Sequence, residues 1–208
     1  MGYDLAGSLE EAKAQHAEGC VKTAVDLARY RAVIERYLPD HIVEVGTFSG
    51  KSAVWFAQNA GCPVTSIDVN HRWIDRATWR QAGPLDVLFV LGRSTDPRTV
   101  EELQARWRRH GQPERPMVVL DGDHSGPTVL AELNIYAPMV PPGGYVVAED
   151  TLVRWMPWEQ QPAGPYIGSP LDAVEEWLAA NPEWAVDEEI DGMHPTGQFP
   201  RGWLRRRP

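Results

Sequence analysis

Four acids and one histidine define the chemistry open to this chain. Asp121, Asp123 and His124 fall together in "LDGDHSG", and Glu149 with Asp150 closes "GGYVVAED" 28 residues after Asp121. Carboxylates at the ends of two neighbouring strands can converge on a hard cation. The all-oxygen set Asp121, Glu149 and Asp150 suits Mg2+, which keeps positions for water or substrate. Solvated acids or helix caps explain the same residues without a metal, and Asp123 stands where it would cap a helix opening at Ser125. A lone histidine says little. Three positions after a metal-type aspartate, His124 becomes a candidate general base.

A second constellation lies in "VEVGTFSGKSAVWF", where a buried-strand run leads into a glycine turn. A phosphate loop needs about four residues between its first glycine and the Gly-Lys pair. Here only Thr47, Phe48 and Ser49 separate Gly46 from Gly50, so the loop is one residue short. A dinucleotide fingerprint fails too, since its later glycines fall on Phe48 and Lys51. What remains is Glu44-x-Gly46-x-x-x-Gly50, a strand, a turn and a helix with an acid just before the turn. Asp68 lies 22 residues after Gly46, where an acid can accept from ribose hydroxyls, although an ordinary strand-end aspartate reads the same way.

The elements that must position these residues alternate. "HIVEVG", "PVTSID", "DVLFVLG", "PMVVLD" and "GGYVVAED" read as five buried strands. Between them lie helical stretches: "KSAVWFAQNAG" ended by Gly61, "HRWIDRATWRQAG", "DPRTVEELQARWRRHG" opened by Asp96 and Pro97, and "SGPTVLAELNIYAPMV". This order predicts an α/β fold with a doubly wound, mostly parallel sheet and ligands at the carboxyl ends of the strands. Each strand does end in a candidate ligand: Glu44 and Gly46, then Asp68, then Gly92 and Ser94, then Asp121 to His124, then Glu149 and Asp150. Helices are expected within residues 1–38. Residues 151–169 read as a Pro/Gly-rich loop over the site, followed by a last helix, "PLDAVEEWLAANP", and an antiparallel hairpin from "EWAVDEEI" and "GQFPRGWLRR".

At 208 residues with 43% hydrophobic content, the chain is expected to be one soluble domain, residues 1–208. No stretch approaches a membrane span and the first residues are acidic, so a cytoplasmic location is expected. The net charge of −9 argues against nucleic acid or an anionic membrane as partner. Cys20 and Cys62 lack metal-type spacing. Of nine tryptophans, Trp55, Trp107 and Trp177 sit in helical stretches and suit core packing. Trp155 and Trp158, with Tyr166, lie in the loop after the acid pair and suit either stacking on a substrate ring or packing on the body.

Taken together, "VEVGTFSGKSAVWFA", "SIDVN", "LGRSTDP", "LDGDHSGPTVLAEL" and "GGYVVAEDT" resemble the small metal-dependent class I S-adenosylmethionine O-methyltransferases. The likeness is to the group of the cephalosporin hydroxylase and the rhamnosyl and macrolide-sugar O-methyltransferases, and it runs from about Val21 to Arg206. The resemblance implies a Rossmann-like, seven-stranded sheet and a Mg2+-assisted transfer of a methyl group to a natural-product hydroxyl, most simply on a sugar. The alternative it implies is a metal-dependent hydroxylase or accessory protein of antibiotic biosynthesis. It places S-adenosylmethionine against Glu44, Gly46, Thr47, Phe48, Ser52, Asp68, Gly92, Ser94 and Asp121. It places Mg2+ on Asp121, Glu149 and Asp150, with His124 as base and Asp123, Trp155, Trp158 and Tyr166 toward the acceptor. A small-molecule acceptor is the expected partner, and a homo-oligomer is an expected assembly.

Overall fold

Short apolar strands and capped helices alternate through the computed structural model, which describes residues 3–18, 22–156 and 168–208, apart from the side chains of 12–18 and 110. The strands are β1 (His41–Val45), β2 (Val64–Asp68), β3 (Val87–Leu91), β4 (Pro116–Leu120), β5 (Tyr145–Ala148), β6 (Trp184–Val186) and β7 (Trp203–Arg206). The helices are α1 (Leu5–Glu18), α2 (Ala24–Tyr37), α3 (Lys51–Ala60), α4 (Arg76–Ala82), α5 (Pro97–His110), α6 (Gly126–Tyr136), α7 (Pro170–Ala180) and α8 (Glu188–Asp191). Caps fix their bounds. Thr23 accepts from the Asp26 amide to open α2, Asp96 accepts from the Arg98 amide before Pro97 in α5, and Ser169 with Asp172 forms a capping box on α7. Gly61 ends α3 in the left-handed conformation, as its place in the sequence predicts.

The sheet order is β3-β2-β1-β4-β5-β7-β6, parallel from β3 to β5 and antiparallel at the β5-β7-β6 end. β1, β4 and β5 are buried throughout, which is why they read as unbroken apolar runs. Two cores flank the sheet. Tyr30, Phe56, Met117, Val119, Tyr145, Val147 and Trp203 belong to the one under α2 and α3. Val43, Val118, Leu120, Leu133, Tyr136, Val146, Ala148 and Trp177 belong to the one under α6 and α7. Among the described residues no helix is long and apolar enough to cross a membrane.

Three expected elements differ. The helix expected over "HRWIDRATWRQAG" starts only at Arg76, because Asp75 accepts from the Thr78 amide at 2.7 Å and caps it there. "EWAVDEEI" is a strand only to Val186, since Asp187 accepts from the amides of Glu189 and Ile190 and opens α8. The loop expected over 151–169 begins as a fixed 3-10 turn, Thr151–Trp155. Its first three side chains are buried, the Thr151 hydroxyl donates to the Pro200 carbonyl and the Leu152 amide to the Gln198 carbonyl. Trp158 and Tyr166 lie outside the described residues.

Candidate active site

The reversal of strand order between β1 and β4 opens a crevice at the carboxyl ends of the strands. The ladder continues one residue past the strands and sets the rim: Gly46 N donates to Ile67 O at 2.8 Å, Asp121 N to Val45 O at 2.8 Å, Glu149 N to Leu120 O at 2.9 Å and Gly92 N to Asp68 O at 2.8 Å. Gly46 has φ 96, and a Cβ there would lie 1.8 Å from the Asp121 carbonyl oxygen. The backbone of β4 thus demands glycine at this position whether or not a ligand is bound.

The turn is tied to its surroundings by carboxylates. Asp68 Oδ2 accepts from the amides of Thr47 at 3.0 Å and Phe48 at 2.9 Å, and Oδ1 accepts from Asn70 N at 3.1 Å. Asp68 therefore shapes the turn, and any ribose contact comes in addition. Phe48 has φ 44, is largely exposed and packs against Trp73 at a ring distance of 6.1 Å. Glu44 is fully buried; Oε2 accepts from Ser66 Oγ at 2.6 Å, Ser66 pairs with Thr47 Oγ1 at 2.7 Å, and Oε1 has no partner. Burial pushes the Glu44 carboxyl up to about 7 against the opposing pull of Lys22, Ser52 and Ser66. Such an orphaned acceptor fits a cationic donor such as an α-ammonium group. At the far side, Gly92 lies close enough to Thr99 that a Cβ would meet its hydroxyl, and Ser94 Oγ donates to Glu132 Oε1 at 2.5 Å.

The acid pair that follows β5 is split. Side chains alternate across a strand, so Glu149 follows Tyr145 and Val147 toward α2. Its two oxygens accept from Lys22 Nζ at 2.6 and 2.7 Å, and Oε1 also accepts from the Tyr30 hydroxyl at 2.5 Å. Asp150 turns the other way through a left-handed backbone, φ 54, and its Oδ2 lies 3.3 Å from His124 Nε2. A non-glycine residue held there is strained, as residues at working sites often are. Donor atoms of Asp121, His124 and Asp150 lie within 4.8 Å of one another, half-buried, and could hold a metal ion. Of the expected set Asp121, Glu149 and Asp150, two members fall in this group beside His124, while Glu149 meets Asp121 across the Lys22 ammonium. Asp123 accepts from Ser125 N at 2.9 Å. Against its partial desolvation, hydrogen bonds from Ser125 and Thr128 and the nearby His124 keep its carboxyl below the usual range. That makes it a poor base. Trp155, 40% exposed, is the described aromatic of the expected acceptor wall.

Sequence reasoning missed Lys22, Tyr30 and Glu132. Lys22 Nζ also donates to Asp121 Oδ2 at 2.9 Å, and its side chain is 3% exposed. Desolvation alone would discharge it, but Asp121, Glu149 and Glu44 outweigh that and hold the ammonium charged. Glu132, buried on α6, keeps one oxygen for Ser94 and leaves Oε2 without a partner; burial pushes its carboxyl up to about 7. Alternation along β5 was a usable signal for Glu149. No spacing pointed to Lys22, which falls within the helices expected over 1–38 and stands just before α2.

Sequence relatives cover most of this chain. A rhamnosyl O-methyltransferase of Mycobacterium tuberculosis (strain ATCC 25618 / H37Rv) is 31% identical over 194 residues, 90% of this chain and 75% of that protein. The Mycobacterium leprae (strain TN) rhamnosyl O-methyltransferase is 33% identical over 176 residues, 82% and 73% respectively. Among solved structures, CmcI in its Mg-SAM form superposes with a TM-score of 0.65 at 19% identity, covering 90% of this chain and 73% of that one. An O-methyltransferase from Bacillus cereus in complex with SAH gives 0.56 at 17%, covering 86% and 81%. These structural likenesses establish the shared fold. The sequence profile of the family Rhamnosyl O-methyltransferase/CmcI matches residues 14–207, so the chain belongs to that family.

Proposed function

We propose that this protein is an S-adenosylmethionine-dependent, divalent-cation-assisted O-methyltransferase acting on a hydroxyl of a natural product, most simply a sugar hydroxyl as in its rhamnosyl-modifying relatives. The observation that carries the reading is the grouping of Asp121, His124 and Asp150 at the rim beside the Glu44–Gly46 turn. The unpartnered Glu44 Oε1 would accept from the cofactor's ammonium, and the start of α3 at Lys51 and Ser52 would face its carboxylate. Asp68 would reach the ribose, and the Gly92 to Ser94 loop the adenine.

Asp121 and Asp150 would hold the cation, since Mg2+ is commonly bound by one or two carboxylates with water and substrate completing its shell. Such an ion, when bound, lowers the pKa of a coordinated hydroxyl and fixes its direction. His124 would take the proton, with Asp150 at 3.3 Å orienting its ring. Positioning is worth up to ~7–11 kcal/mol and general base catalysis ~10²–10⁴-fold, so loss of the two aspartates should weigh more than loss of the histidine.

The test is incubation with labelled S-adenosylmethionine and a panel of unmethylated rhamnosides and macrolide glycosides, with and without chelator. Transfer of a methyl group to a sugar oxygen, lost with chelator and restored by Mg2+, is the expected result. Oxygen insertion instead of methylation would favour the hydroxylase reading, and full activity in chelator would remove the metal. A second reading of His124 rests on its donor lying within 4.8 Å of those of Asp121 and Asp150. If His124→Ala abolishes Mg2+ binding, His124 is a ligand and not the base.

A further inference from the structure

A buried acid on α6 grips the loop that follows β3. Glu132 is 1% exposed and its Oε1 accepts from Ser94 Oγ at 2.5 Å, while the hydroxyl of Tyr136, one turn further along α6, donates to the Ser94 carbonyl at 2.7 Å. Ser94 is thus held by side chain and backbone at once, and Gly92, two residues earlier, donates its amide to the Asp68 carbonyl at 2.8 Å. The loop is locked beside the acid proposed for the ribose. Packing leaves two features unexplained. Glu132 Oε2 is buried without a partner among the described residues, and a buried acceptor with no donor is costly. The single Ser94 hydroxyl proton is committed to Glu132, so lone pairs are what this half-buried oxygen can offer a ligand. Ser94 and Glu132 together present acceptors and no free donor.

We propose that Glu132 sets the base specificity of the cofactor site: by taking the Ser94 proton it fixes Ser94 as an acceptor, so that the site selects a purine carrying an exocyclic amine and disfavours one carrying a carbonyl there. The inference rests on the reading that puts a nucleoside cofactor against Asp68 and the Gly92 to Ser94 loop. An amine supplies the missing donor. A carbonyl in the same place sets oxygen against oxygen and leaves buried lone pairs unpaired, and a site built for one hydrogen-bonding partner rejects the mismatched analogue far more strongly than an apolar pocket does. Glu132 acts through Ser94 and is a positioning residue. What its carboxylate contributes is polarity as well as rigidity, because a glutamine of the same shape can hold Ser94 in either direction: its carbonyl can accept from the hydroxyl, or its amide can donate to the hydroxyl and free that proton for a ligand.

The measurement is calorimetric titration of the full chain with S-adenosylhomocysteine and with S-inosylhomocysteine, which differ by amine against carbonyl on the base; it needs neither acceptor nor metal. At pH 8.5, above the value of about 7 to which burial lifts the Glu132 carboxyl, both of its oxygens accept. Wild type should prefer the adenosyl compound by about 30-fold or more, Glu132→Gln should narrow that preference to within about threefold, and Ser94→Ala should narrow it by weakening the adenosyl compound alone. A ratio of two affinities does not move with a loss of stability in the folded fraction, so a merely structural role for Glu132 would leave it unchanged. A folded Glu132→Gln that keeps the full preference overturns the proposal; if that variant does not fold, Ser94→Ala with an unchanged preference does the same. Wild type that binds neither compound removes the cofactor reading and this proposal with it, whereas wild type that binds both alike removes the proposal alone.

Discussion

Glu44 carries opposite demands in one side chain. Without a ligand its Oε1 is a buried acceptor with nothing to accept from, and its carboxyl titrates up at about 7. The folded state therefore holds a proton that the unfolded chain has already released between pH 4.5 and about 7. Stability falls as pH rises through that window and is level above it. The displacement corresponds to about 3 kcal/mol for this fully buried group. Glu44→Gln removes it. The ligand-free variant should melt higher than wild type at pH 8, by roughly 5 °C or more, and flatten the pH dependence that Glu132, shifted the same way, continues to supply. Titration with S-adenosylhomocysteine should show the other side, a loss of binding by the glutamine variant. A variant that melts lower at pH 8 would mean that Glu44 is stabilised as an anion in the free protein. Asp68 belongs to the same scale. Its Ala variant loses the acceptor for two turn amides, so S-adenosylhomocysteine affinity should weaken by ~1.5–3 kcal/mol, with Asp68→Asn in between. His124→Ala should keep Mg2+ affinity and slow turnover by ~10²–10⁴-fold in single-turnover assays.

At the scale of elements, the rim was legible because a parallel sheet makes it so. Five apolar runs of strand length, each ending in a polar residue, become a line of ligands once their register aligns Val45 with Leu120 and Leu120 with Ala148. The glycine in the first turn was legible as a special position, and the Asp121 carbonyl supplies a reason the sequence did not show: a Cβ there would lie 1.8 Å from its oxygen. Gly46→Ala should accordingly destabilise by several kcal/mol without ligand, and appear as a large loss of melting temperature or of soluble protein, not as a selective loss of cofactor binding. What was not legible is the partner of Glu149. The left-handed backbone at Asp150, just past β5, separates it from Glu149 and is not announced by any spacing, and nothing in "GCVKTAVD" marks Lys22 as buried, since lysine there is ordinarily solvated. The interior of 151–169 was read as a lid; residues 157–167 of it lie outside the described residues, and the described start is a packed turn.

Across the whole molecule, the segment that delivers Lys22 is held by the far end of the chain. Asp26 and Arg29 of α2 form a buried pair at 3.0 Å; Asp26 also accepts from the Gln198 amide at 2.9 Å. Arg29 donates to the carbonyls of Ile190, Asp191 and His194 at 3.2, 3.0 and 2.8 Å. Gly197 sits so close that a Cβ would meet the guanidinium. Thr23, next to Lys22, donates to Asp26 Oδ2 at 2.5 Å, so the clamp reaches the ammonium through one residue. Removing one partner of a buried, hydrogen-bonded ion pair typically destabilises by about 3–5 kcal/mol. In a chain of this size that is on the order of a 10 °C fall in melting temperature. Arg29→Met should show that fall, and a smaller one for the double change with Asp26→Asn, because no buried charge is then left unpaired. A clamp that merely stabilises the fold would leave Mg2+ affinity at 20 °C unchanged in the folded fraction. A clamp that also seats Lys22 beside Asp121 and Glu149 should change Mg2+ affinity in folded Arg29→Met, and calorimetry at 20 °C decides between them.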